Sequence, residues 1–525
     1  MENFSMTVID IIILVVYLSL IIWWALRHGK SADSQSYFLA GRSIPWWIVG
    51  LSLFAASISS TTLIGQSGDA YHTGLAVFNY NLTGIVVMVL FAVFLLPLYL
   101  KSKIFTIPEF LERRFDKRSR YYFSAICIIG NIFLDAAGAL YAAALIMKLL
   151  FPAMDLQVII FIFALIAASY TIPGGLSSAI NAELIQAIIL IIGSTLLTFF
   201  CFQQGSDYFM ELFNSDALLT SLIRPLSDSA TPWLGVIIGM PILGVYFWAN
   251  NQTMVQRVLS AKSIDDGRKG VLLAGFLTMA TLFFIAIPGV IAQHLFPGLD
   301  KPDMVYPTMI LQLMPVGLLG ITIAALLSAL ISTLSAIMNS TATLFTMDFY
   351  AKFKRSGDTK KLVQTGKITS CVVILIAALW APQIGQFGSL LKYYQEMLSY
   401  VAPPVVAVFI IGVFNKRATG QGAFIGLVGG FVMAIGLLLF KNTLFGDMHF
   451  LFIVPILFLF CLILTYVSSL FSAPVPVEKI TDTTFSSRDF ITEYNQLKNG
   501  KWYKNYLLWA AVLLVACALL WILFR

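Results

Sequence analysis

This sequence predicts an all-α, polytopic membrane fold, and three observations predict it. Of 525 residues, 59% are apolar and only 11% charged, whereas soluble domains carry about 25% charged residues. Apolar stretches recur along the whole chain at lengths that can cross a bilayer, for which about 20 residues suffice. Two of these stretches are interrupted by small and polar residues: Ala55-Ala56-Ser57-Ile58-Ser59-Ser60-Thr61-Thr62, and Gly244-Val245-Tyr246-Phe247-Trp248-Ala249-Asn250-Asn251. Lipid offers no hydrogen bonds, so broken backbone at membrane depth survives only against protein or a hydrated cavity. Matched breaks in two halves of a chain point to the binding site of a secondary transporter.

Hydropathy places about fourteen spans, at 6–26, 46–73, 80–100, 121–151, 157–172, 180–203, 232–256, 270–293, 306–347, 366–384, 389–413, 419–440, 449–471 and 505–524. The first has no small-residue cleavage site behind it and reads as a span rather than a removed signal. Charge tests the count, because Lys and Arg crowd cytoplasmic loops. Of the 33 Lys and Arg, all but Lys148, Arg224, Lys301, Lys392, Lys441 and Arg525 fall in odd-numbered loops. An even count then places both termini outside. The same asymmetry explains the net charge of +7. It is an orientation signal facing anionic lipid and not a nucleic-acid surface.

A single transmembrane domain, 1–525, is expected. The span 6–26 is a peripheral addition, 46–203 a first five-helix repeat, 232–413 an inverted second repeat, and 419–524 an outer layer. Five is odd, so the second unit sits upside down relative to the first. Residues 207–224 read as an amphipathic surface helix and 478–504 as a polar cytoplasmic stretch. Cys127, Cys201, Cys371, Cys461 and Cys517 all lie in apolar spans without metal-ligand spacing and read as small buried hydrophobes.

The chemistry concentrates in four places. In span 306–347, Ser328, Ser332, Ser335, Asn339 and Thr343 recur at three- and four-residue intervals, on one helical face. Such a stripe can serve close helix packing. It can also supply oxygens to a hard cation such as Na+. Carbonyls freed at Ala55 and Ile58, beside Ser332 and Thr333, would complete the set. Asp135 lies mid-span with no base near it in the helix, which makes it a functional candidate by cost alone. Glu183, near a cytoplasmic helix start, divides between interfacial snorkelling and an ion site. Glu396 stands beside Gln395, and one of the two should face a cavity. Finally, Phe247 and Trp248 beside Asn250, Asn251 and Gln252 suit a ring-shaped polar solute, the ring stacking while amides bond hydroxyls.

Several runs together resemble the sodium/solute symporter family, closest to its sodium–glucose cotransporter branch. They are Tyr37-Phe38-Leu39-Ala40-Gly41-Arg42 before Pro45-Trp46-Trp47, Thr106-Ile107-Pro108-Glu109-Phe110-Leu111, Gly174-Gly175-Leu176-Ser177, Asn251-Gln252 through Gln256-Arg257, Asn339-Ser340-Thr341-Ala342-Thr343, and Gly412 through Arg417 to Gly422-Ala423. The resemblance implies a leucine-transporter-like core, with a 5+5 inverted repeat and two discontinuous helices. It implies a sodium site from the carbonyls of Ala55, Ile58 and Ala329 and the hydroxyls of Ser332 and Thr333. The positions of a possible second sodium resemble Glu183, Ser335 and Ala336. There the acid is longer and one hydroxyl is gone, so one sodium per solute is expected. The sugar-contacting positions correspond to Phe247, Ser57, Thr62, Asn81, Asp135, Thr278, Gly244 and Gln395, of which only Gln395 matches unchanged. A base has become Thr278 and an acid has arrived at Asp135. The pocket is more negative than a sugar site and tilts toward a neutral or amine-bearing solute.

The expected function is sodium-coupled import of a small polar organic solute (sugar-like, polyol or amino sugar) by alternating access. The alternatives are a sodium-coupled carrier of an amine, amino acid or other non-sugar solute, a proton-coupled carrier using Asp135 or Glu183, and a sodium-gated sensor or channel. No zincin, phosphate-loop or serine–histidine pattern supports an enzyme. The expected partners are the solute, Na+ and the lipid bilayer, with no obligate protein partner evident. Short loops and a compact tail suggest a bacterial inner membrane.

Overall fold

The computed structural model describes residues 6–28, 33–59, 61–215, 218–299, 301–354, 358–386, 390–446 and 448–525. Nearly all of them are helical, and no strand longer than an isolated bridge occurs among them. The spanning elements are α1 (Val8–Arg27), α2 (Trp46–Ser57 and Thr62–Thr73), α3 (Leu75–Lys101), α4 (Lys117–Lys148), α5 and α6 (together Leu156–Asn214), α7 (Trp233–Asn250, continued by Gln252–Leu259), α8 (Ile264–Leu295), α9 (Leu318–Lys354), α10 (Thr359–Ile384), α11 (Leu391–Phe414), α12 (Gly420–Phe440), α13 (Phe450–Leu470) and α14 (Tyr506–Leu523).

Twelve helices are long and apolar enough to span, or thirteen with the bent pair of α2. The Leu156–Asn214 helix has 59 residues. At 1.5 Å per residue it is about 88 Å long, roughly three bilayer cores, so it cannot be one span. It divides at Gly175, whose φ of 61° and ψ of −148° are non-helical. Dividing it there gives fourteen. Only glycine fits, since a Cβ at 175 would lie 2.5 Å from the carbonyl oxygen of Tyr37.

One expected element is corrected. The stretch 306–347 is not a single span. Its first part is a separate helix, Val305–Leu313. Met314 is extended, and Gly317 at φ 84° starts the spanning helix at Leu318. Two punctuating residues, Pro315 and Gly317, explain the break. The expected surface helix at 207–224 is also replaced: α6 runs on to Asn214, and Leu218–Thr220 forms a short 3-10 turn.

Burial orders the spans. The apolar window of α9 is 94% buried, against 28% for α1 and 22% for α14. A helix apolar all round belongs in the centre of a bundle, and α9 sits there, packed along α5 and α6. The peripheral α1 is pinned to it. Asp10, fully buried, accepts hydrogen bonds from the backbone N–H groups of Gly317 and Gly320, both at 2.8 Å. These are orphan donors of the first turn of α9. The segments entering α2 and leaving α7 are joined by a short ladder, Ile44 N to Ser260 O and Lys262 N to Ile44 O, both 3.1 Å.

Candidate functional site

The first break begins with backbone hydrogen bonding. The helix of α2 ends at Ser57, and Ile58 turns away with φ −82° and ψ 83°. In a continuous helix the N–H of Ser59 would bond the carbonyl of Ala55. It bonds Ser57 O instead, at 3.1 Å. The freed Ala55 carbonyl accepts from the hydroxyl of Ser332 on α9 at 3.2 Å. Ser332 also donates to Ala329 O at 2.9 Å, and Thr333 donates to the same carbonyl at 2.9 Å. Ala55, Ala329 and Ser332 are almost fully buried, and Thr333 nearly so. The fold thus gathers two carbonyls and two hydroxyls of the expected sodium set. Ile58 sits at the break itself, on the wall of the adjoining cavity.

The hydroxyl stripe of α9 divides among neighbours. Ser328 bonds Tyr17 of α1, Ser332 faces α2, Ser335 accepts from Thr171 of α5 at 2.8 Å, and Thr343 accepts from Gln256 of α7 at 2.8 Å. Most of the stripe therefore ties helices together. Only the Ser332 turn meets an unwound segment.

The second break lies at Asn251. A wide turn, Tyr246–Asn250, precedes it, Asn251 is extended, and its side chain caps the next helix by accepting from Thr253 N at 2.8 Å. Between the breaks lies a cavity of about 120 Å³. Ser57, Thr62, Asn81 and Asp135 line it from the first half of the chain, and Phe247, Asn251, Thr278 and Gln395 from the second. All eight expected solute residues meet there, with Thr333 of the ion set on the same wall. Phe247 stands edge-on to Trp248, with ring centroids 5.0 Å apart.

Two neighbours of these breaks serve other ends. Gln252 bonds the chain before α4, accepting from Ile107 N at 2.8 Å and donating to Phe105 O at 3.1 Å. Asn250 is buried outside the cavity with neither amide atom bonded. Of the Gln395–Glu396 pair, Gln395 faces the central cavity, while both line a second, wider cavity of about 430 Å³ with Asp69 and Lys392.

Of the two settings expected for Glu183, interfacial snorkelling is not the one found. The side chain is fully buried, in an ion pair with the equally buried Arg257. The second contact of that pair, Arg257 Nε to Glu183 Oε2, measures 3.2 Å. Ser52 donates to the same carboxylate. Glu183 on α6 therefore joins both broken helices, α2 through Ser52 and α7 through Arg257. Among the described residues its carboxylate makes no hydrogen bond to Ser335. A guanidinium already supplies the counter-charge that a second sodium would bring.

Residues that the spacing did not flag complete the site. Gln66 and Asn81 exchange two amide hydrogen bonds, of 2.9 and 3.2 Å, and Asn81 Nδ2 also donates to Thr281 Oγ1 at 2.7 Å. Tyr394 of α11 hydrogen-bonds the Asp135 carboxylate. Three buried polar atoms on the lining residues have no partner: Thr253 Oγ1, Thr278 Oγ1 and Gln395 Oε1. Buried polar groups are normally satisfied, so these three are open to a further partner.

Two discontinuous helices facing one shared cavity define a secondary carrier of the inverted-repeat class. The chain belongs to the sodium:solute symporter family, whose sequence pattern matches residues 37–430. It is 34% identical to the sodium/glucose cotransporter of Vibrio parahaemolyticus, over 82% of this chain and 85% of that one. It is 32% identical to sodium/glucose cotransporter 1 of Sus scrofa, over 89% and 79%. Among solved structures it resembles a Na+-coupled sialic acid symporter in a substrate-bound outward-open state, with a TM-score of 0.80 at 24% identity, covering 90% of this chain and 99% of that one. It also resembles Mhp1, a nucleobase-cation-symport-1 family transporter, with a TM-score of 0.59 at 14% identity over 88% and 100%. These two likenesses bear on fold alone. The relatives are sodium-coupled transporters and not enzymes, and the chain is a multi-pass membrane protein.

Proposed function

We propose that this protein is a sodium-coupled symporter that imports a small polar organic solute by alternating access. The observation that carries the reading is the meeting of the freed Ala55 carbonyl with Ser332, one wall away from a cavity whose polar lining is only partly satisfied. Sodium binds where Ala55, Ile58, Ala329, Ser332 and Thr333 converge. Stripped of water, a hard cation needs oxygen ligands in this number, and uncharged ones suffice for a monovalent ion. The solute occupies the cavity between Ser57, Thr62, Asn81 and Asp135 on one side and Phe247, Asn251, Thr278 and Gln395 on the other. Because α2 contributes to both sites, occupation of one favours the other, and linkage makes that help mutual.

One sodium accompanies each solute, because Arg257 neutralises Glu183. Residues 46–203 and 232–413 act as the two inverted repeats that rock about the site. The basic loops face the cytoplasm, both termini lie outside, and a bacterial inner membrane is the compartment. The test is uptake into proteoliposomes with sodium or potassium outside. Import that persists unchanged in potassium would overturn the reading. A Hill coefficient of two for sodium would overturn the stoichiometry alone.

A further inference from the structure

We infer that the transported solute carries a protonated amine and that Asp135 is its counter-ion. This rests on the symporter reading above and deepens it by naming the chemical class.

The first argument is charge. Among the described residues lining the central cavity, Asp135 is the one formally charged side chain; no Lys, Arg or His lines it. No cation pairs with Asp135 among the described residues, and its hydrogen-bond partner is the neutral phenol of Tyr394. A carboxylate enclosed at membrane depth is costly without a cation. Glu183 and Asp348, two fully buried acids, each have an arginine, and the buried Asp10 is held by backbone N–H groups. Asp135 has no arginine, and an arriving ammonium group supplies what the fold withholds.

The second argument is the balance of donors and acceptors. Ser57 spends its hydroxyl proton on Phe54 O at 2.8 Å, Thr62 on Ser57 O at 3.0 Å, and Thr333 on Ala329 O at 2.9 Å. Asn81 has both amide protons engaged, by Gln66 and Thr281. Gln395 Oε1, an acceptor, is left open. Thr253 Oγ1 and Thr278 Oγ1 are open as well, each able to accept. An ammonium has three donors and no acceptor, and these three open oxygens with the Asp135 carboxylate can take them.

The third argument is the approach. The second cavity adjoins the first through Tyr80, Leu391 and Gln395, which line both. It carries two carboxylates, Asp69 and Glu396, against one lysine, Lys392, and a histidine, His449. A vestibule with an excess of negative charge concentrates cationic solutes.

The experiment uses purified full-length protein and pairs of probes matched except for the amine: D-glucosamine with D-glucose, 1-amino-1-deoxysorbitol with sorbitol, and ethanolamine with ethylene glycol. Each is tested in sodium and in potassium, by thermal shift and by uptake. In sodium, at least one amine should outbind its neutral partner by about tenfold or more, the scale of a charge-assisted bond. Asp135→Asn should bring the pair to near parity. Tyr394→Phe, which keeps the carboxylate, should narrow the preference in part while leaving sodium affinity unchanged. Neutral members binding as tightly as the amines would overturn the inference and leave the symporter standing. So would an Asp135→Asn variant that changes sodium affinity with the amine preference intact. Absence of any sodium-induced stabilisation with sodium alone would instead strike the symporter reading itself.

Discussion

The hydroxyl of Ser332 on α9 donates across 3.2 Å to the carbonyl of Ala55, the residue whose helical hydrogen bond is missing where α2 unwinds. Removing that hydroxyl takes one oxygen from the proposed ion shell and leaves the helices otherwise intact. Ser332→Ala should raise the half-saturating sodium concentration at least tenfold, at about 1.4 kcal/mol per factor of ten. Expression and monodispersity should hold. Sodium titration of uptake measures this, and an unshifted titration would remove Ser332 from the site.

The Glu183–Arg257 pair is fully buried on both sides. Breaking such a pair by removing one partner strands a buried charge and costs roughly 3–5 kcal/mol. Glu183→Gln and Arg257→Met should therefore each lower thermal stability in detergent by a large margin. The double variant should lose much less than the two added together. Additive losses would show that the two groups do not neutralise each other.

The contrasting pair is Arg268 with Glu493, which fastens the helix Ser487–Lys498 to α8 on the basic face. Glu493 is about a third exposed, its side chain at 34%. Water screens it, so Glu493→Gln should cost about 1 kcal/mol or less. Arg268 keeps its bond to Ala92 O at 3.1 Å and its place 4.2 Å over the ring of Tyr506. Limited proteolysis within 478–504 should accelerate while the melting temperature of the core barely moves. A collapse of the core instead would contradict the surface-exposure argument.

Gly175 divides α5 from α6 at a backbone conformation that other residues reach only at about 1–3 kcal/mol. An added methyl would also overlap the Tyr37 carbonyl at 2.5 Å. Gly175→Ala should sharply reduce the folded fraction in size-exclusion profiles. Gly436→Ala on α12, where a Cβ meets nothing within 4 Å, is the control and should behave as the parent.

Much of the fold was legible because its signals are local. Apolar run length sets a span, loop charge checks the count, and a run of Ser and Thr in an apolar helix marks a break. The three- and four-residue intervals from Ser328 to Thr343 put Ser332 on one helical face with the other hydroxyls. The solute residues that the family resemblance assigned, with Asn251 of the second break, line one cavity, a convergence that local signals do not give. What stayed hidden were pairings between distant segments. Nothing near Glu183 announces Arg257, 74 residues on. Nothing near Asn81 announces that its amide is occupied by Gln66 and Thr281. The long span at 306–347 misled because Pro315 and Gly317 are tolerated in apolar runs, and composition alone does not reveal where they stop a helix.

By itself, then, the sequence determined a multi-span helical membrane protein with two interrupted segments and a stripe of hydroxyls on one helix, because hydrophobic length and helical periodicity are properties of neighbouring residues. Only the tertiary structure decided which acids keep a resident cation. Glu183 is held by Arg257 while Asp135 lines the central cavity beside Tyr394, and that difference depends on which helices the bundle presses together.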